Sequence, residues 1–148
     1  MLKSLAVLSD RVSDYLGRLG LDADRNAEGI HLLRYGSTVV MISIFAHEDH
    51  VYARFAATVL VGAQAKLELV TRLLRLNTEV LFGAFLLFED DTVAFAHTLL
   101  GDHLDYDAFL HVLQYVAEVS DAHDEELQLI GGGERAEDVL AEGDGDTG

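Results

Sequence analysis

The stretch TVVMISIFAHEDHVYARFAATVLV, residues 38–61, decides the fold class. In its second half Val51, Ala53, Phe55, Ala57, Val59 and Val61 alternate with Tyr52, Arg54 and Thr58. A period of two marks a half-buried strand. Its first half is rich in β-branched residues, and only His47-Glu48-Asp49-His50 separates the two. A parallel connection needs a crossover of about a dozen residues or more, so a link this short suits an antiparallel hairpin.

Outward from this hairpin, GIHLLRY (29–35) reads as a third strand, turned by Gly36-Ser37. Before it, Leu2, Leu5, Leu8, Val12, Tyr15, Leu16 and Leu19 recur at helical spacing, and Gly20 ends the pattern. On the other side, AQAKLELVTRLLRLN (63–77) returns to the helical period through Leu67, Val70, Leu73 and Leu74. VLFGAFLLF (80–88) and TVAFAHTLL (92–100) then form a second antiparallel pair. A last helix follows, with Asp105 as its N-cap and Phe109, Leu110, Leu113, Val116 and Ala117 as its buried stripe. The order α-β-β-β-α-β-β-α predicts an α+β fold. Residues 1–130 form one domain in this scheme. Residues 131–148, GGGERAEDVLAEGDGDTG, hold only Val139 and Leu140 as large apolar side chains and are expected to be a flexible acidic tail.

Half of the 148 residues are apolar, enough for a sizeable core, and the absence of cysteine excludes disulfides, thiolate metal sites and thiol nucleophiles. No apolar run exceeds nine residues, against about 20 for a membrane span, and the opening apolar run is too short for a signal peptide. A cytoplasmic protein is expected. The net charge of −16 is unevenly placed: residues 1–75 carry nine basic and eight acidic residues, whereas 76–148 carry one and eighteen. Such a surface repels phosphates, which argues against direct nucleic-acid binding. It favours basic partners, and it also suits plain solubility or life at high salt.

Glu89, Asp90 and Asp91 lie between the second pair of strands. A carboxylate metal site needs ligands converging from several segments, and Asp90-Asp91 occupy the place of a two-residue hairpin turn, where aspartate tolerates positive φ. His47 to His50 is the most metal-like string, yet it lacks the HExxH spacing. His97 shares a strand face with Val93, Phe95 and Leu99, as a packed or interface histidine would. There is no GxSxG, and the glycines at 131–133 follow a helix, whereas a phosphate loop would open one. Arg72 and Arg75 share a helix face near Glu68 and Glu79, as salt-bridge lacing would.

Residues 71–130 resemble the YbjN family, grouped with the type III secretion chaperone-like domains. The resemblance is carried by a leucine-rich helix ending in Asn77, a strand with Gly83 and Phe85, the acidic turn 89–91, the strand end TLLGDHL (98–104) and the helix containing YVAEVSDAHDEEL (115–127). It implies an antiparallel sheet covered on one face by the first and last helices. It also implies a homodimer, often made by the middle helix and adjoining strands, and no shared catalytic residues or cofactor.

The expected function is therefore that of a non-enzymatic adaptor or chaperone-like homodimer. It would engage another protein, with basic, nucleic-acid-associated proteins as one class of client, in regulation or stress response. Candidate partner-binding residues are Ile42, Ile44, Tyr52, Arg54, Phe95 and His97 on the strands and Asp121, Asp124 and Glu125 on the last helix. Leu69, Arg72, Leu73 and Leu76 are the candidate dimer contacts. Two alternatives stay open: a metal-dependent enzyme using HEDH and EDD, and a small-ligand sensor with a pocket between the sheet and the last helix.

Overall fold

The computed structural model describes residues 4–139. Helix α1 (Leu5–Arg18) opens on Ser4, whose hydroxyl accepts from the Val7 amide, and it buries Leu8, Val12 and Leu16. Strands β1 (Ala23–Arg25), β2 (Ile30–Tyr35), β3 (Thr38–His47) and β4 (His50–Val61) follow, then α2 (Leu67–Leu76), β5 (Ala84–Leu87) and β6 (Val93–Leu100). After a 3-10 turn at Gly101–His103 comes α3 (Tyr106–Gly131), N-capped by Asp105, and last β7 (Glu134–Arg135). The predicted order holds, with β1 and β7 added.

All strands join one antiparallel sheet in the order β1-β2-β3-β4-β6-β5, and β7 pairs with the end of β4. Register sorts its side chains into two faces. One row runs His31, Ile42, Phe55, His97 across β2, β3, β4 and β6, and the next runs Ala23, Leu33, Val40, Ala57, Phe95, Phe85. Helices α1 and α3 cover this face. Phe109 of α3 packs on Phe55 at 5.4 Å and on Tyr15 of α1 at 5.3 Å. Phe55, Phe95 and Phe109 are fully buried, and each contributes about 1.5–3 kcal/mol by leaving water. Helix α2 lies beside α3 and buries Leu69, Leu73 and Leu76 in the same core.

Four details depart from the expectations. Residues 80–83 are not strand: Gly83 has φ +79°, and a Cβ there would come within 2.8 Å of the Ala96 carbonyl oxygen and 2.9 Å of the Phe95 ring. A register shift between Thr58 and Leu60 turns both Val59 and Leu60 inward, so Val61 is exposed. On α3 the buried stripe takes Val112, while Leu110 is only half-buried. In the segment expected as a tail, Gly132 and Gly133 turn the chain at positive φ, Glu134-Arg135 pairs with Val61-Leu60, and Arg135 bridges Glu125 and Asp138. Within that segment Glu134-Arg135 is thus a strand of the sheet, and residues 140–148 lie outside the described ones.

Candidate functional site: the open face of the sheet

Among the described residues no helix covers the second face of the sheet. Its rows are Asp24, Leu32, Met41, Ala56, Ala96, Ala84, then Ile30, Ser43, Arg54, Thr98, then Phe45, Tyr52, Leu100. The strands are apolar on this side too, and Leu32 and Met41 keep 44% and 38% of their surface in water. At the β1–β2 end the face deepens into a groove of about 760 Å³ lined by Asp22, Asp24, Leu32, Arg34 and Val39. Contiguous exposed apolar surface of this kind marks an interaction site.

In the middle of the face, Phe45 and Tyr52 stack with ring centres 5.5 Å apart and planes 17° from parallel. The Arg54 guanidinium lies 5.2 Å from the Phe45 ring centre, and its Nε donates to Thr98 Oγ1 at 3.0 Å. The two edges of the sheet differ. At β5, Asn77 Oδ1 accepts from the Phe85 amide at 2.7 Å and Asn77 Nδ2 donates to the Phe85 carbonyl at 3.3 Å, so a side chain occupies that edge. At the other end the edge is β1, only three residues long.

The candidate residues fall into separate places. Tyr52 and Arg54 stand on the open face. Ile42, Ile44 and Phe95 are buried on the helix-covered face, because Ile42 pairs with Phe55 and Phe95 with Ala57. His97 shares that covered face, tilted against Phe82 at 4.6 Å, and burial lowers its pKa. Asp121, Asp124 and Glu125 lie on α3, away from the open face. Asp121 accepts from the Ser37 hydroxyl, Glu125 pairs with Arg135, and burial raises the pKa of Asp124. Leu69, Leu73 and Leu76 face the chain's own core, and Arg72 pairs with Glu126 of α3 at 2.6 Å. The outer side of α2 instead exposes Leu67 and Leu74.

Met41, Phe45, Leu32 and Thr98 belong to the open face but escaped the sequence reading. Strand β3 is apolar at both parities, so its sides are indistinguishable until register with Phe55 is known.

Glu48-Asp49 forms a two-residue turn between paired His47 and His50, with Glu48 at φ +55°. Glu89 to Asp91 forms a three-residue loop closed by the Phe88 amide on the Thr92 carbonyl, with Asp91 at φ +65°. Among the described residues no three His, Asp or Glu side chains come together to hold a metal ion. Between sheet and last helix there is a cleft of about 170 Å³ lined by Tyr35, Thr38, Ala117 and Asp121. That is below the roughly 300 Å³ at which ligand pockets begin. No described helix is long and apolar enough to cross a membrane.

Comparison with known proteins adds a family and a fold. A family model described as "T3SS (YopN, CesT) and YbjN peptide-binding chaperone 1" matches residues 6–139. No curated protein sequence matches the chain. A chain of the ExsC–ExsE complex superposes with a TM-score of 0.69 at 16% identity, covering 85% of this chain and 97% of the other. The Yersinia pestis type III secretion chaperone SycH, solved with a fragment of YscM2, gives 0.58 at 14% identity, covering 78% and 98%.

Proposed function

Because the chain belongs to the T3SS and YbjN peptide-binding chaperones, we propose that it is a non-enzymatic chaperone-like protein that holds a segment of another protein on the open face of its sheet. The observation that carries this is the apolar carpet of exposed Leu32 and Met41 with half-buried Phe45 and Tyr52, and the groove at its β1–β2 end. Two solved structures similar to this chain are each complexes with a second protein, ExsE in one and a YscM2 fragment in the other, which supports the same reading. The net charge of −16 favours a client that is cationic overall, through long-range attraction.

The working form is a homodimer through the outer side of α2, where Leu67 is 82% and Leu74 65% exposed. Light scattering of wild type and Leu74→Glu tests this part. A wild-type monomer at micromolar concentration refutes it, and conversion of a dimer to a monomer by Leu74→Glu supports it.

The binding part is tested by selecting phage-displayed random peptides on the immobilised protein. Selected peptides should bind Leu129→Glu, altered at an exposed position of α3, and fail to bind Met41→Glu, with both variants shown to be folded by circular dichroism. Peptides insensitive to Met41→Glu place the site elsewhere.

A further inference from the structure

Arg54 is out of keeping with its surroundings. The chain has 26 acidic and 10 basic residues, and Arg18, Arg25, Arg72 and Arg135 all take carboxylate partners. Arg54 takes none among the described residues. Its contacts are the Thr98 hydroxyl and the Phe45 ring. Of strands β1 to β6, only β1 puts a carboxylate on the open face, Asp24, at the sheet edge and three strands away from β4.

A guanidinium offers five N–H donors in a planar fork. Thr98 holds the one on Nε, and Phe45, stacked in turn on Tyr52, supports the flat side of the group. Arg54 is exposed, and its two Nη groups take no hydrogen-bond or ion-pair partner among the described residues. The covering segment must satisfy them. A wholly apolar segment would bury four donors without partners, which is costly. A lysine or arginine would bring like charge against them. A carboxylate meets them two-to-two, the geometry in which arginine binds carboxylates most strongly, and the apolar surroundings strengthen the contact.

We propose that the open face is a seat for an extended apolar segment of a partner protein carrying one aspartate or glutamate, whose carboxylate docks end-on against the Nη groups of Arg54. Its flanking residues, two positions to either side, are apolar and lie over Phe45, Tyr52 and Met41. This rests on the open-face reading above and specifies its ligand. The client is acidic at this one position, whatever its overall charge.

The experiment selects phage-displayed random peptides in parallel on the wild type and on Arg54→Gln. Wild-type peptides should share a single Asp or Glu between apolar second neighbours; those from Arg54→Gln should keep the apolar pattern and lose the acid. A resynthesised wild-type binder with its acid changed to the amide should bind wild type about tenfold more weakly, the worth of a hydrogen-bonded charge, and bind Arg54→Gln unchanged. Binders without an enriched acid, or an equal loss on both proteins, overturn the proposal while leaving the open-face reading standing, provided they are still sensitive to Met41→Glu. Binders indifferent to Met41→Glu overturn that reading and this inference with it.

Discussion

Asn77 offers a sharp test of how this sheet is closed. It ends α2, and its amide side chain reaches Phe85 of β5 with both hydrogen-bonding groups, at 2.7 and 3.3 Å. Because the Phe85 amide and carbonyl are both taken up by Asn77, they point away from β6. Asn77 thus acts as one residue of an extra strand. Asn77→Ala removes two hydrogen bonds, each worth about 1 kcal/mol net. The site is only part-buried, so water restores some of what the backbone groups lose, and the expected destabilisation is about 2 kcal/mol. For a chain of this size that lowers the unfolding midpoint by about 6 °C, at about 3 °C per kcal/mol. Urea unfolding followed by circular dichroism should show a lower midpoint with an unchanged slope. The freed edge should also make the variant self-associate with rising concentration, as bare edge strands do. Asn77→Asp is a diagnostic companion: its carboxylate still accepts from the Phe85 amide but opposes the carbonyl, so acidification that protonates it should recover stability relative to Asn77→Ala. A loss for Asn77→Ala of less than about 0.5 kcal/mol, the scale of an ordinary surface change, with no change in association, would refute the reasoning.

Gly83→Ala should cost about 3 kcal/mol, summing the penalty for a side chain at φ +79° and the collision with Ala96 and Phe95; a thermal midpoint within a degree of wild type would show that the loop yields. Acid should weaken the fold in a defined window. His31 is buried against Ser9 Oγ at 2.9 Å, and burial first, then the nearby Arg25 charge, lowers its pKa from 6.5; burial does the same for His97. The unfolded chain therefore binds more protons than the folded one, so these residues' stabilisation is complete above pH about 6.5 and is lost as pH falls below it. The slope is at most about 1.4 kcal/mol per pH unit for each histidine. His31→Gln should flatten denaturant midpoints measured between about pH 6.5 and 5, and an equal slope in wild type and variant would assign the effect elsewhere. Arg135→Gln, which breaks the bridge to Glu125 and Asp138, should speed amide exchange over residues 134–139 and leave β3 unchanged; unaltered exchange there would mean that backbone pairing with β4 alone holds the segment.

The legible parts of the fold are those where pattern and local chemistry agree. The leucine spacing of α1, the Asp105 cap of α3 and the brevity of HEDH each have one structural solution, and together they dictate the antiparallel hairpin and the element order. Strand β1 escaped because Ala23-Asp24-Arg25 is short and polar and is a strand only by pairing with Leu33 to His31. Strand β7 escaped because its pairing depends on two glycine conformations and on the carboxylates of Glu125, ten residues before Arg135, and of Asp138. The open face was half legible. Tyr52 and Arg54 follow from alternation in β4, but Ile42, Ile44, Phe95 and His97 needed register, which turns all four toward the helices. The stripe Leu69, Leu73, Leu76 shows that α2 has an apolar side; whether that side meets a partner or its own core is a tertiary fact.

Register also changes what the charge imbalance means. Residues 76–134 contain no lysine or arginine, yet what strands β5 and β6 contribute to the open face is Ala84, Leu86, Ala94, Ala96, Thr98 and Leu100, all uncharged. The acids of this half go instead to the exposed side of α3, as Glu118, Asp121 and Glu125, and to the turns at 89–91 and 102–107. An imbalance between halves of the sequence thus becomes an imbalance between sides of the sheet. The acidic side acts at a distance and is screened within about 8 Å at physiological salt. The open face acts by contact, in apolar surroundings where salt screens much less. On the proposed reading, attraction of a client and choice of the segment that is held would be separate functions of separate surfaces, so that a protein of net charge −16 could still hold an acidic residue at Arg54.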